Sequence, residues 1–146
     1  MGELNLNDGA IVYIDTAPII YSIECHPKYM TVLQSLWTKV NANEISLFSS
    51  ELLWLEISVK PLKANNQPII DIYTELLTNS IQLISIYQSI LKSAAQLRST
   101  TKLKTPDAIH AATAISYGCN IFLTNDRGFQ NTPRLPVVVL DQVIQS

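Results

Sequence analysis

Five short apolar runs alternate with longer stretches of helical periodicity, and this alternation restricts the fold more than any other feature of the chain. The runs are residues 11–15 (IVYID), 45–48, 81–84, 120–124 and 137–140. Between them apolar residues recur three and four apart, as on one face of a helix. Met30, Leu33, Leu36, Trp37 and Val40 do so within 27–40; Ile69, Ile70, Tyr73, Leu76 and Leu77 do so after Asn66-Gln67-Pro68. Pro18 suits the first turn of a helix after the first run. Ser49-Ser50 offers an N-cap for a helix over 51–59. Ser85 and Gln88 have the spacing of a capping box for a helix running to about Arg98. Thr105-Pro106 reads as an N-cap followed by a first-position proline, and Gly118 as the C-cap of that helix. Strands that alternate with helices imply crossover units and a mainly parallel sheet covered on both faces. Short, continuously apolar strands agree with that. The expected fold class is an α/β/α three-layer sandwich with a central sheet of about five strands.

The chain has 146 residues, one domain's worth, and no linker-like segment divides it. We expect residues 1–10 to form an N-terminal tail and residues 11–146 the domain. Hydrophobic residues make up 47% and charged residues only 15%, against about 25% charged in ordinary soluble domains. That excludes intrinsic disorder, which needs the opposite balance. It also suggests apolar surface that a partner covers. The net charge of −2 excludes a protein that grips nucleic acid by overall charge. Cys25 and Cys119 match no zinc or disulfide pattern and read as free thiols. The first ten residues lack the basic and apolar regions of a signal peptide. No apolar stretch approaches the ~18 residues of a membrane span. A cytoplasmic protein without a membrane segment is the expectation.

In sheets of this type ligands bind beyond the carboxyl ends of the strands. Asp15 ends the first run, and Asp126 follows the fourth in Thr124-Asn125-Asp126. Glu51 and Glu56 follow the second, and Asp107 lies at the second position of its helix. Glu51 and Glu56 point roughly 140° apart on a helix, so at most one faces a common site. Acids that converge repel one another unless something positive sits among them. Oxygen donors without Cys or His favour a hard cation such as Mg²⁺ or Mn²⁺. Each acid also has a plainer explanation. Asp15 is as well suited to capping a helix, Asp107 to complementing a helix dipole, and Asp126 to a turn.

The strings IVYIDTAPIIY (11–21), SSELLWLEISVKPLK (49–63), AAQLRS (94–99), TPDAIHAATA (105–114) and FLTNDRGF (122–129) together resemble the PIN-domain family, and most of all its VapC-type toxin branch. The resemblance spans about residues 11–140 in the family's order, and its last two strings are the most specific. It implies that the family's metal-binding and catalytic acids fall on Asp15, Glu56, Asp107 and Asp126. Ser50, six residues before Glu56, matches the serine that opens the family's Ser-to-Glu stretch, so Glu56 is preferred to Glu51. Thr124 matches a hydroxyl residue that supports the last acid by a hydrogen bond. One position departs: Gly128 stands where many relatives carry a further acid, which leaves a second metal in question.

The resemblance further implies a Mg²⁺- or Mn²⁺-dependent endoribonuclease, the toxin of a toxin–antitoxin pair, leaving a 5′-phosphate and a 3′-hydroxyl. It implies an RNA substrate, a cognate antitoxin and a homodimer. The expected division has Asp15 and Asp126 binding metal directly, with Asp107 and Glu56 acting through water. Arg98, Lys102 and Lys104 precede Asp107 and are candidate RNA contacts, although a solvated loop explains any single lysine as well. His110, three residues after Asp107, reads as a buried, hydrogen-bonded histidine. Ile19, Ile20 and Ile23, with Met30, Leu33 and Trp37, read mostly as core. The alternative function is a catalytically degenerate PIN-like module that binds RNA or protein. A phosphotransfer enzyme on a similar sheet ranks lower, because the first strand ends Asp-Thr-Ala and lacks a second acid.

Overall fold

A computed structural model of the chain describes residues 2–145. The elements run β1 (Ile11–Ile14), α1 (Thr16–Ile23), α2 (Met30–Asn41), β2 (Ser46–Ser50), α3 (Leu53–Lys63), α4 (Gln67–Asn79) and β3 (Gln82–Ile84). They continue with α5 (Gln88–Thr100), α6 (Thr105–Tyr117), β4 (Ile121–Thr124), a 3-10 turn (Arg127–Phe129), β5 (Val137–Val139) and α7 (Leu140–Gln145). All five strands are parallel, in the order β3-β2-β1-β4-β5. This is the expected α/β/α sandwich.

Topology divides the helices. The first two crossovers step from β1 to β2 to β3 in one direction, and their helices cover one face. There Val12 and Ile14 pack with Ile19, Leu33, Leu36, Leu53, Ile57, Tyr73 and Leu77. The third crossover returns past β1 to β4, so right-handed connections put α5 and α6 on the opposite face. There Tyr13 and Phe122 pack with Ile90, Ala94, Leu97, Ala108, Ala111 and Ala112. Successive residues of β1 therefore serve the two cores in turn, as the pleat requires. Among the helix residues singled out above, Ile19 and Leu33 are buried; Ile20, Ile23 and Trp37 are partly buried against the same core.

Several local expectations need correction. Ser49 and Ser50 belong to β2 rather than to a cap, and α3 starts only at Leu53. Ser50 Oγ instead accepts from the Leu52 amide in the connecting turn (3.1 Å). The proposed capping box is absent: Tyr87 is the N-cap of α5 and makes no side-chain cap bond. Helix α6 begins one residue early, with Lys104 at the N-cap, which moves Asp107 to the third position. Its hydroxyl neighbour Thr105 bonds Arg98 instead (2.9 Å). The start of α2 is Met30, not 27. Asn66 does cap α4, accepting from the Ile69 amide (3.3 Å), and Gly118 does close α6 with φ +69°. Within the first ten residues Leu4, Leu6 and Ala10 are buried against the core.

Candidate active site

The strand order reverses between β1 and β4. The first half of the sheet grows away from β1 on one side, the second half on the other. A crevice opens beyond the carboxyl ends at such a point. Asp15 follows β1 directly, and its amide donates to Leu123 O of β4 (2.9 Å). Asp126 follows β4 by two residues. One hydroxyl ties the two together. Thr124 Oγ1 donates to Asp15 Oδ2 (2.7 Å) and accepts from the Asp126 amide (3.1 Å). Thr124 is fully buried and Asp15 nearly so. Asp15 occupies the N-cap position of α1, yet its side chain makes no capping bond. Its carboxylate faces the crevice groups instead.

Glu56 reaches the same place from α3, where it is half-buried. Its Oε1 accepts from Thr16 Oγ1 (2.9 Å) and from His110 Nε2 (2.5 Å). Burial pushes the Glu56 carboxyl up, but the bonds from His110 and Thr16 and the imidazole charge bring it below its ordinary value. His110 is fully buried. Burial disfavours its charged form, and the Glu56 bond with the charges of Asp15, Glu56 and Asp107 outweighs that, so its pKa is raised. Both shifts favour an imidazolium–carboxylate pair. The ring also lies 3.8 Å from Asp15 Oδ1 and shares a hydrogen bond with the Tyr13 hydroxyl through Nδ1 (2.5 Å).

Asp107 enters from the first turn of α6. Its pKa is raised by burial, then by the negative charges of Asp15 and Asp126, against an opposing pull from His110; Glu56 adds a further push. So Asp107 senses all three other acids. The four carboxylates occupy one rim, and the single buried imidazole does not balance them.

Other candidates lie elsewhere. Glu51 bonds the segment after β3 instead, accepting from the Ile86 amide (3.0 Å). Arg98 fixes the loop ahead of α6, with Nε to Leu103 O (3.2 Å) and a second bond to Thr105. Lys102 and Lys104 are exposed on that loop. Asp126 Oδ1 accepts from the Gly128 amide (2.8 Å), and a Cβ at Gly128 would stand 3.0 Å from that oxygen. Tyr13 and Thr16 escaped the sequence reading. Their signal was position alone: Tyr13 lies two residues before Asp15, on the same side of the pleat, and Thr16 follows it directly.

Among the described residues no three His, Cys, Asp or Glu side chains are grouped so that they could hold a metal ion. No helix among them is long and apolar enough to cross a membrane.

The family model of the PIN domain matches residues 12–135. No curated protein sequence matches the chain. Among solved structures, the chain is similar to VapBC2 from Rickettsia felis bound to a DNA fragment from their promoter, with TM-score 0.72 and 16% identity over 88% of this chain and 98% of that one. A toxin–antitoxin complex from Klebsiella pneumoniae gives TM-score 0.64 and 23% identity over 88% and 97%. DNA-bound VapBC from Salmonella typhimurium gives 0.67 and 14% over 90% and 98%. At these identities the structures speak to the fold. The family model covers most of the chain, including every acid of the crevice, and on that ground the chain belongs to the PIN-domain family.

Proposed function

We propose that the protein is a Mg²⁺- or Mn²⁺-dependent endoribonuclease and the toxin of a toxin–antitoxin pair. The observation that carries this reading is the bonded network at the carboxyl ends of β1 and β4: Thr124 joins Asp15 to the Asp126 amide, and His110 bonds Glu56 and lies 3.8 Å from Asp15; Asp107 is held above its ordinary pKa by burial first and then by Asp15 and Asp126. Carboxylates gathered in this way fit a hard divalent cation. Mg²⁺ keeps several of its waters and takes few carboxylates directly.

Asp15 and Asp126 are the residues that would hold the ion directly, with Asp107 holding its waters. When bound, it supplies Lewis acidity toward the phosphodiester and a more acidic water. Thr124 keeps Asp15 turned to the crevice and fixes the Asp126 backbone beside it. Glu56, tethered through Oε1, orients the attacking water. Attack at phosphorus leaves a 5′-phosphate and a 3′-hydroxyl. The net charge of −2 gives no general attraction for RNA, so phosphate contacts fall to local cations, with Lys102 and Lys104 the candidates beside Asp107.

Support for an antitoxin partner comes from the similar structures, which are VapBC and toxin–antitoxin complexes. The exposed apolar side chains Leu55, Val59 and Leu62, three and four apart on α3, suit burial against such a partner or a second copy. Cytoplasmic location and a homodimer belong to the same proposal. The competing reading, a catalytically degenerate binding module, draws on Gly128 in place of a further acid and on the lack, among the described residues, of a His, Cys, Asp or Glu group placed to hold a metal ion.

The test is a ribonuclease assay on the purified chain free of antitoxin. A structured RNA pool is incubated with Mg²⁺ or Mn²⁺, with EDTA, and with Asp126→Asn protein alongside. Cleavage that requires metal and vanishes in the variant supports the proposal. No cleavage together with no Mn²⁺ binding by calorimetry favours the degenerate module.

A further inference from the structure

The carboxylate of Glu56 is not held by its own helix. Its Oε1 takes two donors from outside α3, Thr16 Oγ1 of α1 and His110 Nε2 of α6, and no group among the described residues bonds Oε2. Behind His110 stands Tyr13 of β1, bonded to Nδ1. The Tyr13 ring has little room to move. It stacks on Phe122 (centroids 5.0 Å apart, planes at 9°) and meets Phe48 edge-on at 5.1 Å. Both Tyr13 and His110 are fully buried. The line from Tyr13 through His110 to Glu56 therefore starts in the core under α5 and α6 and ends on a helix of the opposite layer. It passes over the carboxyl end of β1, where the acids gather. A buried histidine that needed only satisfied nitrogens could find its partners within one layer. This one joins two layers at the crevice.

We propose that His110 is a positioning residue for Glu56, with the Tyr13 hydroxyl fixing the ring from behind, so that Oε1 is anchored and Oε2 is left to the site. Its catalytic consequence rests on the nuclease reading above; the clamp itself does not. Groups that orient an active carboxylate or a ligand at one remove usually change affinity or rate about 10–100-fold when removed.

The clamp is tested first in the metal-free protein. The chain has two histidines, His26 and His110, so ring-nitrogen NMR of ¹⁵N-histidine-labelled protein reads the clamp directly, with His26 as internal control. Tyr13→Phe removes one oxygen and keeps the packed ring. It should shift the His110 ring resonances and leave those of His26 in place, and Glu56→Gln should do the same. Ring resonances of His110 that stay unmoved in both variants would overturn the proposal. The second measurement is cleavage with Mn²⁺ affinity beside it. His110→Leu should lower kcat about 10–100-fold with little change in KM. His110→Gln, whose amide can still donate toward Oε1, should recover part of the loss. In a Glu56→Gln background His110→Leu should add nothing, because the residue acts through Glu56. Additive losses, or no rescue by Gln, would place His110 in the packing alone and sink the idea. If His110→Leu does not fold, Tyr13→Phe and His110→Gln carry the same comparison. A wild-type protein without metal-dependent cleavage would refute the nuclease reading; the clamp would then stand or fall on the ring resonances.

Discussion

Thr124 shows how much of the site hangs on single atoms. Its hydroxyl both donates to Asp15 and accepts from the Asp126 amide. Thr124→Val keeps the shape and removes both bonds, leaving a nearly buried carboxylate oxygen and an amide without that partner. A loss of about 1–3 kcal/mol is expected from urea unfolding, with cleavage falling as well. Asp107 carries the opposite sign. Burial first, then Asp15 and Asp126, raise its pKa above 3.8, so the ionised side chain is a cost to the folded state. Asp107→Asn should raise the Tm of the metal-free protein, by a small amount because solvent screens the charge of this partly exposed side chain. The same substitution should weaken Mn²⁺ binding in calorimetry. A variant that is less stable and still binds Mn²⁺ as wild type would show that Asp107 is paid no penalty by its neighbours.

Helix ends and strand ends decide how the elements deliver these side chains, and here sequence and structure part company in instructive ways. Gly118 was legible as a C-cap because only glycine takes φ +69° cheaply. A Cβ there meets nothing within 4 Å. Gly118→Ala should therefore cost about 1–2 kcal/mol through backbone strain alone, with no change in cleavage at a temperature where the variant is folded. A larger loss would mean that the glycine serves packing as well. The Ser49-Ser50 and Thr105 signals misled, because these hydroxyls bond other groups. Ser49 donates to Ile14 O (2.7 Å) and stays in the strand. Thr105 spends its hydroxyl on Arg98. Local capping statistics could not register these partners, which are distant in sequence or come from another element. Position at a strand end or helix start left capping, dipole and turn roles open; the acids of the rim were nameable only through the resemblance of their strings to the PIN-domain family, which preferred Glu56 to Glu51. The Tyr13–His110–Glu56 line was not, because its members lie 97 and 54 residues apart and nothing local marks them as a group.

At the scale of the whole molecule the crevice is a concentration of like charge built into an otherwise ordinary sandwich, and its electrostatics should govern stability against pH. The pKa of Asp107 is raised in the folded state. Its cost is present above that folded value and is relieved as pH falls through it. That of His110 is raised above 6.5. The stability from its pairing is fully present below that unfolded value and is lost as pH rises through the folded one. Glu56 is lowered from 4.5, so its contribution is present above 4.5 and is lost only as pH falls through its folded value. Above the range of Glu56, the remaining two effects run in one direction: the metal-free protein should lose stability as pH rises. The divalent ion proposed for this crevice should reverse the Asp107 part. Bound to the native state alone, it stabilises by about 2.7 kcal/mol at a hundred times its Kd, or roughly 5–10 °C in Tm for a domain near this size. That gain should grow with pH through the Asp107 range, because protons and metal compete for the same carboxylates. Thermal unfolding with EDTA and with Mn²⁺, at steps from acid to alkaline, measures both curves. Curves that separate as pH rises, and close up in Asp107→Asn, would tie metal and carboxylate together. Parallel curves would place the ion somewhere other than this crevice.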